Sequence, residues 1–251
     1  MKSIIKKIRL KILRRRERFE KGSIKIDKTI FKYIDTASFY FMYKEIFEKE
    51  IYNFSTKNKE PLIIDCGSNI GISILYFSKK YPNSKIIAFE PDKNIFETLK
   101  ENIEINNLKN KITLINKAVW KSEESLNFLP DNSDGGKIDN TENTETQKIK
   151  AVRLKDFIKD NEVDFLKIDI EGSEFEVIKD CEEILGNVKN IFLEYHSYTS
   201  KEQEIDEILL IFKKNNFRVY IENPGMKQDI PFKKISHVNG MDMQLNIYAY
   251  K

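Results

Sequence analysis

Four short stretches of this chain carry groups that could do chemistry. Asp65-Cys66-Gly67-Ser68-Asn69-Ile70-Gly71 places an acid before a glycine loop and closes on a second glycine. Glu90-Pro91-Asp92 follows roughly 20 residues beyond that loop, where nucleotide-binding α/β crevices carry an acid for a ribose diol. Asp169-Ile170-Glu171-Gly172 spaces two acids so that an extended turn sets both on one face. That pair can hold a substrate hydroxyl, or bind a Mg²⁺ ion that acidifies one. The plainer alternative is that one acid orients a cofactor and the other caps the following helix. His196 is one of two histidines in the chain. It is a candidate general base because an imidazole titrates near neutrality, against the alternative of a hydrogen-bonded structural ring. His237 is a weaker candidate in a loop.

The glycine loop narrows the ligand. A dinucleotide loop runs G-x-G-x-x-G, and here Ser68-Asn69 stands where the middle glycine belongs. A pyrophosphate on the helix start is therefore disfavoured. A ligand with a carboxylate and an amine but no phosphate fits better, held by loop amides and Asp65, and S-adenosylmethionine is one. The first glycine permits a close approach that a Cβ would obstruct, and the second lets the helix pack against its strand. A plain strand–helix turn is the competing reading of this loop, and an exposed strand-end acid is that of Glu90.

These residues need elements to hold them. Leu62-Ile63-Ile64 is an apolar strand pattern before the loop, and a helical pattern runs from Ile72 to about Tyr81. Lys85–Phe89 reads as the second strand, 92–106 as a helix with Asp92 at its N-cap, and Ile112–Ile115 as the third strand. Val163–Asp169 reads as the fourth and Asn190–Tyr195 as the fifth, which brings Asp169 and His196 to the same sheet edge. Strands and helices in short-looped alternation make an α/β fold around a mainly parallel sheet with helices on both faces. A helix over 201–214, a strand Phe217–Ile221 and a last strand Gln244–Tyr250 complete seven strands, one of them antiparallel. Asn223-Pro224-Gly225 in the last connection is placed to wall a substrate pocket. Ser125–Leu129 and Gln147–Val152 read as a hairpin with a long loop, a solvent loop or a lid, where a crossover helix is expected; Arg153–Lys159 is then a short helix.

At 251 residues the chain divides into a basic and aromatic helical extension, 1–55, and one domain, 56–251. Residues 1–21 hold ten Lys/Arg against Glu17 and Glu20, a local charge of +8 that leaves −5 for the remainder of the net +3. The acidic body argues against a nucleic-acid groove. Ile4, Ile5, Ile8, Ile12 and Leu13 fall at helical spacing among the basic residues. Such a helix lies on an anionic membrane surface, or docks on its own domain or on a partner. Residues 24–54 mix helix and turn signals, with 38–52 helical; their many rings are mostly core, a minority roofing a pocket. No apolar run approaches the roughly 20 residues of a membrane span. Cys66 and Cys181 lie far apart without metal-ligand spacing, and no secretory signal pattern is present, so the expected compartment is the cytoplasm. Nothing in the pattern sets an oligomeric state.

D-C-G-S-N-I-G, A-F-E-P-D, L-K-E-N-I-E-I-N-N-L, N-K-A-V and K-I-D-I-E-G-S-E, in that order over residues 61–198, resemble the FkbM family of S-adenosylmethionine-dependent methyltransferases. The resemblance implies a class I methyltransferase, Rossmann-like fold. It implies S-adenosylmethionine bound by Asp65, Gly67, Ser68, Asn69, Gly71, Glu90, Pro91, Ala118 and Asp169. It also implies O-methylation of a sugar, glycan or related hydroxylated metabolite, with Asp169, Glu171 and His196 at the chemistry. RNA methylation is a second reading, attached to the basic arm; D-I-E-G in place of an N/D-P-P-Y motif argues against it. A non-catalytic cofactor-binding subunit is a third.

Overall fold

The computed structural model describes residues 10, 13, 18–108, 110–131, 136–138, 145–226, 228 and 230–251. Most of the basic arm lies outside the described residues. Leu10 and Leu13 are described, both helical and both buried. Residues 132–135 and 139–144 of the expected long loop lie outside them as well.

Residues 24–54 begin with a hairpin that the helix-and-turn reading of this stretch missed. β1 (Gly22–Ile26) pairs antiparallel with β2 (Thr29–Tyr33). Helix α1 (Thr36–Tyr43) follows, N-capped by the Asp35 carboxylate on the Ala37 N–H, and a π-helical turn over Lys44–Glu48 extends it.

Next come β3 (Leu62–Cys66), α2 (Ile72–Lys80), β4 (Lys85–Phe89), α3 (Lys93–Ile105) and β5 (Lys111–Ile115). Asp92 caps α3 as expected, accepting from the N–H groups of Asn94 and Ile95 at 2.8 and 3.1 Å. β6 (Ala118–Trp120), β7 (Ser125–Leu129), β8 (Lys137–Ile138) and β9 (Gln147–Arg153) then form a separate four-stranded sheet in the order β6-β9-β7-β8. The expected hairpin is present as β7 and β9, and β6 joins it parallel to β9. Arg153 ends that strand rather than starting the helix, so α4 is only Lys155–Ile158.

The chain closes with β10 (Phe165–Ile168), α5 (Glu174–Asp180), β11 (Asn190–Tyr198), α6 (Ile205–Lys214), β12 (Arg218–Glu222) and β13 (Met241–Tyr250). The main sheet has the order β12-β13-β11-β10-β3-β4-β5, with β13 antiparallel to both neighbours and the remaining pairs parallel. β3 and β10 are central, flanked on each side, and read as nearly unbroken apolar runs because both sheet faces are covered. Two extents at the site differ from expectation. β10 stops at Ile168, which leaves Asp169 in the loop. β11 runs on to Tyr198 because its far half pairs with β13, so His196 lies within a strand opposite Gln244.

One apolar cluster lies under α4, α5 and α6. The other joins Phe31, Phe39 and Tyr43 of the N-terminal stretch to Ile63, Ile74 and Phe77 of β3 and α2. Residues 10–54 therefore bury their rings against the sheet's own helix layer. No helix among the described residues is long and apolar enough to cross a membrane.

Candidate active site

The site lies beyond the carboxyl ends of β3, β4 and β10, where open α/β sheets hold ligands. β3 leaves the sheet at Gly67, with φ of 82°. A Cβ at Gly67 would stand 1.9 Å from the backbone oxygen of Asp169, so the first glycine is demanded by the neighbouring strand's loop. Gly71 is also left-handed, but its absent Cβ faces Leu99 of α3 and not its own strand, and Gly71 does not line the cleft. Between them the N–H of Asn69 donates to Glu90 Oε2 at 2.9 Å, while Glu90 Oε1 accepts the N–H of Asp92 at 2.9 Å. Glu90 is thus aimed by two backbone amides while it still lines the cleft. Burial pushes its carboxyl up to about 8, against the pull of those amides and of Lys167.

Lys167 was missed by the motif reading, although a lysine between Leu166 and Ile168 inside an apolar run is a visible signal. The register pairs it with Asp65 across β3 and β10. Its side chain is 3 % exposed, with Nζ 3.1 Å from Asp169 Oδ2, 3.5 Å from Asp65 Oδ1 and donating to the Gly67 carbonyl at 2.8 Å. Burial opposes its charge, but the carboxylates of Asp169 and Asp65 outweigh that and hold the ammonium firmly protonated. Asp65 is completely buried, takes the Ser73 hydroxyl on Oδ2 and does not line the cleft. Its contacts are with Lys167 and Ser73 and not with the cleft, which differs from the expectation of direct contact with a ligand.

At the β10–β11 end, Asp169, Glu171 and His196 each bring a ligand-type atom within 4.8 Å of the others'. Asp169 and Glu171 line the cleft together with Glu194 and Gln244. His196 does not; its ring is buried, with Nδ1 3.0 Å from Glu174 Oε1. Burial disfavours the charged ring, yet Glu171 and Glu174 raise its pKa well above the ordinary imidazole value. A ring that keeps its proton is a poor base, so the expectation of a near-neutral His196 is corrected. Glu171 is no helix cap either: the N-cap of α5 is Ser173, without a side-chain capping bond, and Glu174 instead accepts the N–H groups of Ile170 and Gly172 in the preceding turn. Burial pushes Glu171 up to about 8, opposed by His196 and reinforced by Asp169 and Glu174.

The cleft encloses about 360 Å³. Ser68, Asn69, Glu90, Pro91 and Ala118 line one part of it beside Phe89, Ile95 and Val119. Phe41, Met42, Glu45, Ile46 and Tyr52 from the N-terminal stretch roof it. Phe128, Gly136 and Ile138 of the small sheet close one flank, and Pro224, Gly225 and Met226 another, as expected for the last connection. An apolar slot with one aimed acid suits an aromatic base on a ribose, and the acidic end suits a sulfonium beside a hydroxyl.

A seven-stranded sheet in this order with one reversed strand, carrying its cleft at the parallel strand ends, is the class I methyltransferase fold. A family profile, the methyltransferase FkbM domain, matches residues 65–219, and the chain belongs to that family of S-adenosylmethionine-dependent methyltransferases. Among curated relatives, methyltransferase sdnD of Sordaria araneosa is 27 % identical over 227 residues, 74 % of this chain and 86 % of that protein. The 2-O-methyltransferase NoeI of Sinorhizobium fredii is 23 % identical, covering 68 % and 78 %. The hexuronic acid methyltransferase AglP of Haloferax volcanii is 25 % identical, covering 55 % and 57 %. The crystal structure of methyltransferase FkbM from Methylobacillus flagellatus superposes with a TM-score of 0.53 at 17 % identity, over 86 % of this chain and 51 % of that one. This chain spans about half the length of that solved protein.

Proposed function

We propose that this enzyme methylates a hydroxyl of a sugar, a glycan or a related metabolite. The observation that carries the reading is the cleft's division into an apolar slot ending in Glu90 and an acidic end formed by Asp169, Glu171 and Glu194. Two relatives, named for 2-O-methylation and for a hexuronic acid, support the acceptor class.

Glu90 would hold the ribose diol, the Ser68–Asn69 loop would border the amino-acid end, and Pro91 and Ala118 would border the adenine. When bound, S-adenosylmethionine supplies a methyl whose C–S bond breaks with the electron pair kept by sulfur as the C–O bond forms. Asp169, oriented by Lys167, would lie beside the positive sulfur of a bound cofactor. The carboxylates of Asp169 and Glu171 align the acceptor hydroxyl, and its proton passes to this cluster as the new bond forms. A Mg²⁺ ion on the Asp169–Glu171 pair would supply the same acidification. His196 stands behind Glu171 as a positioning residue. RNA fits poorly, because the acceptor end of the cleft is lined by acids that repel phosphates.

Methyl-labelled cofactor incubated with a panel of hydroxylated sugars, sugar acids and RNA tests this reading. Label in a base-stable ether of a sugar, with release of the demethylated cofactor, is the expected outcome. Label only in RNA, or only in a base-labile ester, would overturn it.

A further inference from the structure

The acidic end of the cleft has a construction that methyl transfer alone does not require. Glu174, 1 % exposed, has its Oε1 occupied by the N–H of Gly172 at 3.0 Å and of Ile170 at 3.3 Å, and the same oxygen faces His196 Nδ1 at 3.0 Å. Glu174 Oε1 already accepts two backbone N–H groups, so Nδ1 is the donor, and Nε2 is the nitrogen whose proton a cation would have to displace. Nε2 looks at Glu194 Oε1 from 3.7 Å and at Glu171 Oε1 from 3.8 Å, too far for a hydrogen bond to either. The imidazole side chain is 2 % exposed. The buried imidazole thus presents Nε2 between two carboxylates at ion-pair distance, which is an observation separate from the acids themselves.

The acids show the same arrangement. Glu171 holds a left-handed backbone, φ 55°, and Gly172 follows at φ 86°. This turn brings the Glu171 carboxylate back toward β11, where the Tyr198 hydroxyl donates to Oε2 at 3.1 Å and leaves Oε1 facing Nε2. Asp169 has Oδ2 paired with Lys167 at 3.1 Å. Carboxylate-held imidazoles with the second nitrogen turned toward acids are how proteins orient a histidine on a metal.

We propose that Asp169, Glu171 and His196 bind a divalent cation, with Glu174 as the residue that holds the imidazole. Glu194 borders the site, and the ion's open positions face the cleft. The proposal rests on the methyltransferase reading only for its purpose, which is to bind and acidify the acceptor hydroxyl. One imidazole among carboxylate oxygens favours Mn²⁺ or Zn²⁺ over the all-oxygen preference of Mg²⁺. The Nε2 proton and the cation are alternative occupants of one lone pair. Ligand atoms within 4.8 Å of one another need only a small inward movement to meet bonds of about 2.0–2.2 Å.

The test uses the full chain, stripped with a chelator and titrated with MnCl₂, free Mn²⁺ being read by electron paramagnetic resonance. One Mn²⁺ per chain is expected, displaced by Zn²⁺. Glu171→Gln and His196→Gln should each weaken it at least tenfold, and Glu174→Gln by about 10- to 100-fold, the usual effect of losing a ligand's orienting partner. S-adenosylmethionine affinity, measured by calorimetry in each variant, reports whether the fold is retained; Glu171→Gln, at the cleft face, remains decisive if His196→Gln unfolds. Absence of Mn²⁺ and Zn²⁺ binding at millimolar ion, or equal binding in wild type and all three variants, would overturn the proposal. Failure of the wild-type chain to bind S-adenosylmethionine would instead strike the proposed function, leaving the ion titration to be judged alone.

Discussion

Gly67 stands where two backbones come closer than any side chain allows. A methyl there would sit 1.9 Å from the Asp169 carbonyl oxygen, and the φ of 82° is itself unfavourable for an L-residue. Backbone cannot retreat as a flexible side chain can, so Gly67→Ala must separate the β3 and β10 loops. The expected loss is more than about 1–3 kcal/mol in urea unfolding. Gly186→Ala, which meets nothing within 4 Å, should be close to neutral and serves as control. Glu90 gives a second residue-scale prediction. Its folded pKa of about 8 lies above the ordinary 4.5, so the folded state holds the proton more tightly than the unfolded one. The stability this contributes is complete below 4.5 and is lost as pH rises through about 8. Glu90→Gln should flatten that part of the pH–stability profile of the ligand-free protein. Glu90→Ala should weaken S-adenosylmethionine binding by about 1–3 kcal/mol in calorimetry; unchanged affinity would remove Glu90 from the site.

Between elements, the N-terminal hairpin is fastened to α3 by two asparagines one helical turn apart. Asn106 accepts the Ile30 N–H at 2.9 Å and donates to the Ile30 carbonyl at 2.7 Å. Asn102 does the same for Lys32 at 2.7 and 2.9 Å, and also reaches the Ile70 carbonyl at 2.8 Å. The two amides thereby pair the edge of β2 as a neighbouring strand would, so the edge is covered instead of open. Asn102 is fully buried, and Asn102→Leu would strand a backbone donor and two acceptors. Stranded groups cost about 1–3 kcal/mol each, so Asn102→Leu should destabilise by several kcal/mol in urea. Because Ile70 belongs to the cofactor loop, the same change should also weaken S-adenosylmethionine binding.

For the molecule as a whole, the N-terminal stretch is a wall of the cleft and a layer of the core. Leu10 and Leu13 are each 4 % exposed within the cluster that contains Phe77 and Leu99. Arg18 adds a charge-assisted bond to buried Asp35 at 2.8 Å. Burial opposes the Asp35 charge, yet Arg18 and the nearby amide and hydroxyl donors hold its pKa down to about 2. That contribution is present above 3.8 and lost as pH falls through about 2. Deleting residues 1–20 should therefore lower the thermal midpoint and cost more than about 3 kcal/mol, the usual scale for losing buried leucines. Should the truncated chain instead keep its stability and lose only sedimentation with anionic vesicles, the arm is a membrane contact and not part of the core.

Adjacent residues and short periodicities were enough to determine much of this protein. The strand ends near Asp65, Glu90 and Asp169, the cap at Asp92 and the α/β alternation all follow from local apolar patterns, while the order of the strands in the sheet does not. They could not show that Asp65 faces Lys167 instead of a ligand, because that depends on the register of two strands about a hundred residues apart. Nor could they place the β1–β2 hairpin, whose edge is satisfied by asparagines some 70 residues further on. His196 illustrates the same division. Its position near a strand end was legible, while its burial and the carboxylates that hold its proton come from α5, β11 and the turn between Asp169 and Glu174. Burial, register and charge environment are properties of chain segments brought together from afar, and only the tertiary structure decides them.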